Sequence, residues 1–422
     1  MSSAARSRVG APVAVTGAGV VSPIGNDLAA FDEALFAGRS AVRAHALDLP
    51  GIELLPVPVA AAEFDAAAVI APSHVPLDRG TAMALASADQ AARDAKLAAG
   101  CFDAERLGIF WGSGMAGATT FELTCRTVYA DRRRMRPTSV VTTMPNAPVA
   151  EIALRFGARG AALAYACACA SSAVAIGEAM RAIRAGWIDV AIAGGSESLL
   201  TPGVLASWQA MRVLATVALG AEGDAAARSA CRPFAADRIG FAIGEAAAAF
   251  VLESAAHARA RSATPQFQLA GYATNCDGVH ITNPDAAGQS RAMAAALADA
   301  GLAASAIGYL NAHGTATTNG DAAEADSIAR VFGAHGVPVS STKAIHGHLL
   351  GAGGAVELLA AARALGAGRL PPTAHTIALD PSFAIDLVTN EARPAAGLRH
   401  VMSSSFAFGG TNAVLIASRL DG

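Results

Sequence analysis

The chain has 422 residues, enough for two or three domain-sized units with a full core that needs no disulfide or metal staple. Hydrophobic residues make up 53% and charged residues 15%, which excludes an intrinsically disordered chain. The formal net charge of −3 offers no strong field to nucleic acid, and despite a mean hydropathy of +0.40 no run of about 18–20 apolar residues free of charge, Gly and Pro marks a membrane span.

In chain order, 13–15 is predicted as a strand, followed by the glycine turn Thr16-Gly17-Ala18-Gly19. Ser22 stands where a dinucleotide fingerprint needs its third glycine, so nucleotide binding is not expected. A helix is predicted over 79–99. A strand at 107–111 ends in Gly112-Ser113-Gly114, and a helix at 149–156 is closed by Gly157. The segment 161–168 is apolar and extended. It leads into a helix over 171–185, where Ala173, Ile176, Met180 and Ile183 recur at helical spacing and Gly186 supplies the stop. A strand at 190–193 ends in Gly194-Gly195, and 241–253 reads as a turn and a strand. The second half follows the same pattern, with strand 308–312, helix 321–332, strand 337–340, helix 349–365 closed by Gly366, and strands 400–404 and 413–417 around a glycine turn. This alternation predicts an α/β fold of mostly parallel, buried sheets, in two similar halves packed as one body and divided near 255.

Six cysteines are too few for a disulfide scaffold, and residues 1–10 carry Arg6 and Arg8 without the apolar stretch of a secretory signal, so a cytoplasmic protein is expected. Of the 31 basic residues only Lys96 and Lys343 are lysines. A lysine kept against such a bias marks a position where a guanidinium cannot replace a compact ammonium.

Four strand-end turns hold the chemistry. In Cys167-Ala168-Cys169-Ala170-Ser171 an extended segment enters a helix start, where the helix dipole and free N–H groups are expected to lower a thiol pKa. Cys169 abuts the helix, whereas Cys167 belongs to the strand; both can also serve as small buried hydrophobes. His313 ends a strand in Asn311-Ala312-His313-Gly314-Thr315. The third turn, Ser340-Ser341-Thr342-Lys343-Ala344-Ile345-His346-Gly347-His348, contains one of the two lysines, and Glu357 on the following helix can reach back to it. His346-x-His348 has a zinc-like look, but the neighbouring cysteines and carboxylates lack ligand spacing, so no metal is expected. The fourth turn is Phe406-Ala407-Phe408-Gly409-Gly410-Thr411-Asn412. One thiol, two histidines and a lysine at four such turns argue for covalent thiol catalysis.

Taken together, these segments resemble the condensing enzymes of the thiolase fold. They are most similar to the elongating, β-ketoacyl-[acyl-carrier-protein] synthase II type, and the likeness extends from Val13 to Ala417. Val15-Thr16-Gly17-Ala18-Gly19-Val20-Val21-Ser22-Pro23-Ile24-Gly25 matches that family's opening. The resemblance implies duplicated thiolase-like halves, 1–255 with the nucleophile and 256–422 with the His/His/Lys residues, in a five-layer α-β-α-β-α body. The family's cysteine precedes an Ile-Gly pair by seven and eight positions, so Ile176-Gly177 selects Cys169. It further implies a decarboxylating Claisen condensation of an acyl thioester, held on Cys169, with malonyl-acyl carrier protein. In that scheme His313 and His348 stabilise the enolate and the backbone N–H groups of Cys169 and Phe408 form the oxyanion hole. Phe408 is the gate, and Lys343, Glu357, Phe406 and Asp321 are supporting residues. No bound cofactor is implied, because phosphopantetheine arrives on the carrier protein. The implied partners are that carrier protein and a dimer mate, either a second copy or a chain-length-factor homologue.

Some residues depart from the family pattern. His346 stands where the family commonly has Thr. Trp208, with Met115 on a nearby loop, is expected to alter the acyl pocket. Residues 73–77 lack the usual basic residues for gripping a carrier protein, and Arg132, Arg133, Arg134 and Arg136 form an alternative patch. These changes fit a polyene, polyketide or modified-acyl pathway as well as a housekeeping one. A degradative thiolase would use a second cysteine near the C-terminus, but the last one here is Cys276. A chain-length-determining partner subunit, the alternative reading, would lack Cys169. A thiol hydrolase would need neither Lys343 nor the second histidine.

Overall fold

A computed structural model of the chain describes residues 11–49, 51–69 and 76–420. The expectations for residues 1–10 and 73–75 concern segments outside these. In the first half β1 (Val13–Val21), β2 (Leu107–Gly112), β3 (Ala162–Tyr165), β4 (Val190–Glu197) and β5 (Ala246–Glu253) pair in the order β3-β2-β4-β5-β1. In the second half β6 (Phe267–Cys276), β7 (Tyr309–Asn311), β8 (Pro338–Ser340), β9 (His400–Phe406) and β10 (Thr411–Ser418) pair as β8-β7-β9-β10-β6, with Asp386–Leu387 added beyond β8. The order within each half is the same: third, second, fourth, fifth, first. A short antiparallel pairing of β1 with β6, Val13–Val15 against Phe267–Leu269, links the two into one 11-stranded ribbon.

The sheets are mixed rather than mostly parallel. β2–β3, β2–β4, β7–β8 and β7–β9 are parallel, whereas the fourth, fifth and first strands of each half pair antiparallel. Burial on both faces makes central strands such as β4 and β5 read as mostly apolar runs, so sequence patterning alone does not reveal direction.

Helix α1 (Arg79–Asp94) covers the outer face of β1 and β5. It is followed by α2 (Ala118–Tyr129) and α3 (Ala147–Phe156). Between the two sheets lie α4 (Ser171–Arg184) and, later in the chain, the helix Gly353–Ala367, each touching strands of both halves. After α5 (Pro202–Ala210) come α6 (Ala286–Ala300), packed on β6 and β10, and α7 (Thr318–Phe332), packed on α6; they close the other outer face. The helix Gly353–Ala367 is α8. The stack is therefore helix, sheet, helix, sheet, helix. The alanine excess is explained here, because α8 buries Ala355, Ala360, Ala361 and Ala364 where two sheets and α4 converge. The 18-residue stretch Leu350–Ala367 is long and apolar enough to cross a membrane, but 83% of it is buried inside the protein, as a core helix is.

Several element ends differ from expectation. β1 runs straight through Gly17 and Gly19 instead of turning. A Cβ on Gly19 would stand 2.1 Å from the Ser87 carbonyl oxygen, so this glycine serves close packing against α1 and not phosphate binding. β4 likewise continues through Gly194 and Gly195 to Glu197. Helix α1 stops at Asp94 rather than 99, with Lys96 in left-handed backbone at φ 51°. The segment 161–168 is extended only to Tyr165. The predicted helix from 349 begins as a 3₁₀ turn (Leu350–Ala352), and α8 ends beyond Gly366, at left-handed Gly368.

Candidate active site

Cys169 sits in the 3₁₀ turn Ala168–Ala170, which runs directly into α4. Ala168 adopts φ 47°, a left-handed conformation costly for a residue with a Cβ. Ser171 over-determines it: its hydroxyl accepts from the Cys167 N–H at 2.9 Å and donates to the Ala168 carbonyl at 2.6 Å. Gly112 at the end of β2 lets this turn approach, since a Cβ there would meet the Ser171 carbonyl carbon at 2.3 Å.

The expected low thiol pKa is not what the structure gives. Cys169 is buried, and burial pushes the thiol up to about 12, with the Lys343 charge and the Phe408 backbone N–H pulling the other way. Desolvation outweighs the helix start because the Cys169 side chain itself is buried.

His313 follows β7, and its Nδ1 is 3.3 Å from Lys343 Nζ. An ammonium only donates, so Nδ1 accepts and the proton of the neutral ring lies on Nε2. Lys343 is also paired with Glu357 on α8; both are fully enclosed. His348 is fixed the same way: the Leu350 N–H donates to its Nδ1 at 3.3 Å, which leaves Nε2–H facing Cys169 Sγ at 3.2 Å. Burial, followed by the nearby Lys343 charge, holds both imidazoles well below the usual histidine range, so both are neutral near pH 7. Their ring centroids are 5.3 Å apart. The Phe408 backbone N–H points at Cys169 Sγ. Two imidazole donors and one amide donor thus converge on the thiol.

These groups open into a cavity of about 380 Å³. Phe406 stands 6.2 Å from His313, ring to ring. Trp208, on α5, stacks on Phe408 at 6.1 Å and meets Phe241 edge-on at 5.8 Å, and Phe241 in turn abuts His348 at 5.1 Å. Met115 is half exposed and is not among the residues lining the cavity; its N–H donates to Glu197. Asp321 is buried outside the lining, accepting the Phe234 and Ala316 N–H groups. Arg132, Arg133, Arg134 and Arg136 are all exposed.

Sequence reasoning passed over Glu324. Its carboxylate accepts the N–H groups of His313 at 2.8 Å and Gly314 at 2.6 Å and the Ser404 hydroxyl at 3.0 Å, fixing the turn that carries His313. Burial pushes it up to about 7 against the pull of those amides. An acid on the buried face of α7 was the available signal.

One donor from each of Cys169, His313 and His348 lies within 4.8 Å of the others, a set with metal-ligand chemistry. Both Nε2 atoms carry protons, however, and the Lys343 ammonium lies alongside, so a divalent cation would have to displace protons against a fixed positive charge. His346 does not join the set, because both its ring nitrogens are bonded elsewhere.

Residues 10–258 match the family described as "Beta-ketoacyl synthase, N-terminal domain", and 267–376 match its C-terminal domain. The chain belongs to the beta-ketoacyl synthase family. This synthase is 36% identical over 419 residues to "3-oxoacyl-[acyl-carrier-protein] synthase 2" of Staphylococcus aureus, covering 97% of this chain and 98% of that one. It is 37% identical over 414 residues to "Nodulation protein E" of Rhizobium meliloti, covering 96% and 98%. Among solved structures, a beta-ketoacyl synthase from Burkholderia phymatum superposes with a TM-score of 0.86 at 33% identity, covering 97% of this synthase and 100% of that chain. The ishigamide ketosynthase/chain length factor gives 0.86 at 29%, covering 98% and 100%. A type II PKS acyl-carrier protein in complex with its ketosynthase, bound to the hexaketide, gives 0.86 at 27%, also covering 98% and 100%.

Proposed function

We propose that this synthase elongates acyl chains by decarboxylating condensation on Cys169, with the catalytic labour divided between the halves 1–255 and 256–422. The carrying observation is the pair of Nε2–H donors, His313 and His348, set beside one buried thiol. Cys169 Sγ attacks an acyl-carrier thioester; the C–S bond to the carrier breaks, and the Cys169 thiol proton passes to the departing carrier sulfur, which leaves as the thiol. Malonyl-carrier protein then enters with its phosphopantetheine arm in the cavity. Its carboxylate bond breaks, CO2 departs, and the electron pair moves onto the thioester as an enolate. Both Nε2–H groups donate to the enolate oxygen as its charge develops. The carbanion attacks the acyl-Cys169 carbonyl, and the N–H groups of Cys169 and Phe408 take the oxyanion. The C–S bond to Cys169 then breaks, the cysteine leaves as thiolate and takes a proton from solvent, and the product is a β-ketoacyl thioester two carbons longer.

Lys343 holds the His313 proton on Nε2, and Glu357 neutralises it. The complete trio favours a condensing subunit over a non-catalytic chain-length subunit. Trp208, stacked on the gate, supports a pocket specialised in acyl length. β3 is an edge strand with Leu163 exposed, and Phe121 and Leu123 on α2 are exposed as well, which supports a dimer with a second copy or a chain-length-factor homologue. The test is intact mass after incubation with acyl-carrier proteins. An acyl adduct is expected on the native chain and absent from Cys169→Ala; an adduct that survives the substitution contradicts the assignment.

A further inference from the structure

His346 is fully enclosed, two residues before His348, and the mechanism above does not use it. Its ring touches two fixed points. Nδ1 lies 2.8 Å from the Gly347 carbonyl oxygen, and Nε2 lies 2.9 Å from the Thr342 hydroxyl. A carbonyl only accepts, so Nδ1 bears the proton; Nε2 is then bare and takes the hydroxyl proton of Thr342. Each ring nitrogen has one partner, and only this tautomer satisfies both.

The Gly347 carbonyl belongs to the peptide bond that leads into His348. The other end of that peptide, the His348 N–H, donates to the Ala242 carbonyl at 2.6 Å. The peptide is therefore gripped at both poles. Gly347 needs the grip, because its φ of 70° and ψ of −178° lie where only glycine moves freely. The His348 N–H and carbonyl are held by Ala242 and Gly244, so losing the donor at the Gly347 oxygen frees the tilt of this one peptide and, through it, the direction of the His348 ring. On the other side of the ring, Thr342 also accepts from Asn311 Nδ2 at 3.4 Å, and it immediately precedes Lys343. One imidazole thus ties the Thr342 side chain, next to Lys343, to the peptide that leads into His348.

We propose that His346 is a positioning residue: its Nδ1–H clamps the Gly347 carbonyl and so holds the Nε2–H of His348 over Cys169 and the incoming malonyl thioester. The inference rests on the condensation reading and deepens it. A displacement of about 1 Å in a proton donor is enough to cost about a hundredfold in rate.

Asparagine and glutamine separate this role from simple space-filling. The Asn amide nitrogen falls where Nδ1 does, and the Gln amide falls where Nε2 does. CO2 release from malonyl-carrier protein and acyl-adduct formation are measured for the native chain, His346→Asn, His346→Gln and His346→Ala, each with its thermal midpoint. For CO2 release, His346→Asn is expected within about threefold of native, and the Gln and Ala variants about a hundredfold lower. Adduct formation on Cys169 is expected to change by about threefold or less in all of them. Gln matching Asn, or both steps falling in proportion, overturns the proposal. Nitrogen-15 shifts of His346 in the native chain give a reading free of substitutions: a proton on Nδ1 is expected, and a proton on Nε2 overturns it. If the native chain forms no adduct and releases no CO2, the condensation reading fails instead, and the tautomer still decides the role of His346.

Discussion

The two halves share a strand order but build their parts of the site from different materials. The first half presents Cys169 almost entirely through backbone: a left-handed Ala168, a tight approach at Gly112 and the start of α4. The second half seats His313 on buried side chains, Lys343, Glu357 and Glu324, and orients His348 through the Leu350 N–H. Burial acts on both halves toward neutrality, pushing the thiol up and the imidazoles down. Reactivity therefore comes from where the donors point and not from charges already present. A nucleophile tolerates a backbone mount because it must only be reachable. Proton donors that stabilise an enolate must be held in tautomer and direction, which the Lys343 side chain does at His313 and the Leu350 N–H does at His348.

The largest way to break the contrast is to disturb the side-chain mount alone. Lys343→Arg keeps the charge but not the compact ammonium, and CO2 release is expected to fall about a hundredfold while acylation of Cys169 persists. Equal losses in both steps would erase the distinction between the halves. A similar span is expected from pH. Because the thiol is raised toward about 12, its thiolate fraction grows roughly tenfold per pH unit through the neutral range. Iodoacetamide inactivation should therefore accelerate steadily from pH 6.5 to 8.5, about a hundredfold in all. A plateau near pH 7 would mean that the helix start wins over burial. The smallest effect is at the gate. Trp208→Ala removes the ring stacked on Phe408, and the preference between short and long acyl-carrier proteins is expected to shift about tenfold. Unchanged selectivity in a competition assay contradicts a pocket role for Trp208.

Much of this was legible in the sequence. Strand-to-helix turns carried Cys169, His313, Lys343 and His348, and the scarcity of lysine pointed to Lys343 and Lys96 alike, with only Lys343 lying in such a turn. Lys96, the other lysine, follows α1 in a surface turn and takes no part in the chemistry. What stayed hidden depends on contacts across the fold. The strand β1 hides Gly19's role, because only the approach of α1 explains it. Strand direction is invisible when both faces are buried, so the antiparallel pairing of β5 with β1 and β4 was missed. Glu324 was overlooked because its partners are backbone amides, which no residue pattern records. The thiol pKa went the wrong way because a helix start can be read locally and desolvation cannot. Asp321 and Met115, by contrast, lie outside the cavity lining.

The central claim is that the two imidazole donors act on malonyl decarboxylation and leave the first acyl transfer to Cys169 and its backbone. It is tested most directly by measuring CO2 release from malonyl-carrier protein beside acyl-adduct mass in His313→Ala. The account predicts an adduct on Cys169 at near-native extent, with CO2 release slower by about a hundredfold to a thousandfold. Native-like CO2 release from that variant would contradict it.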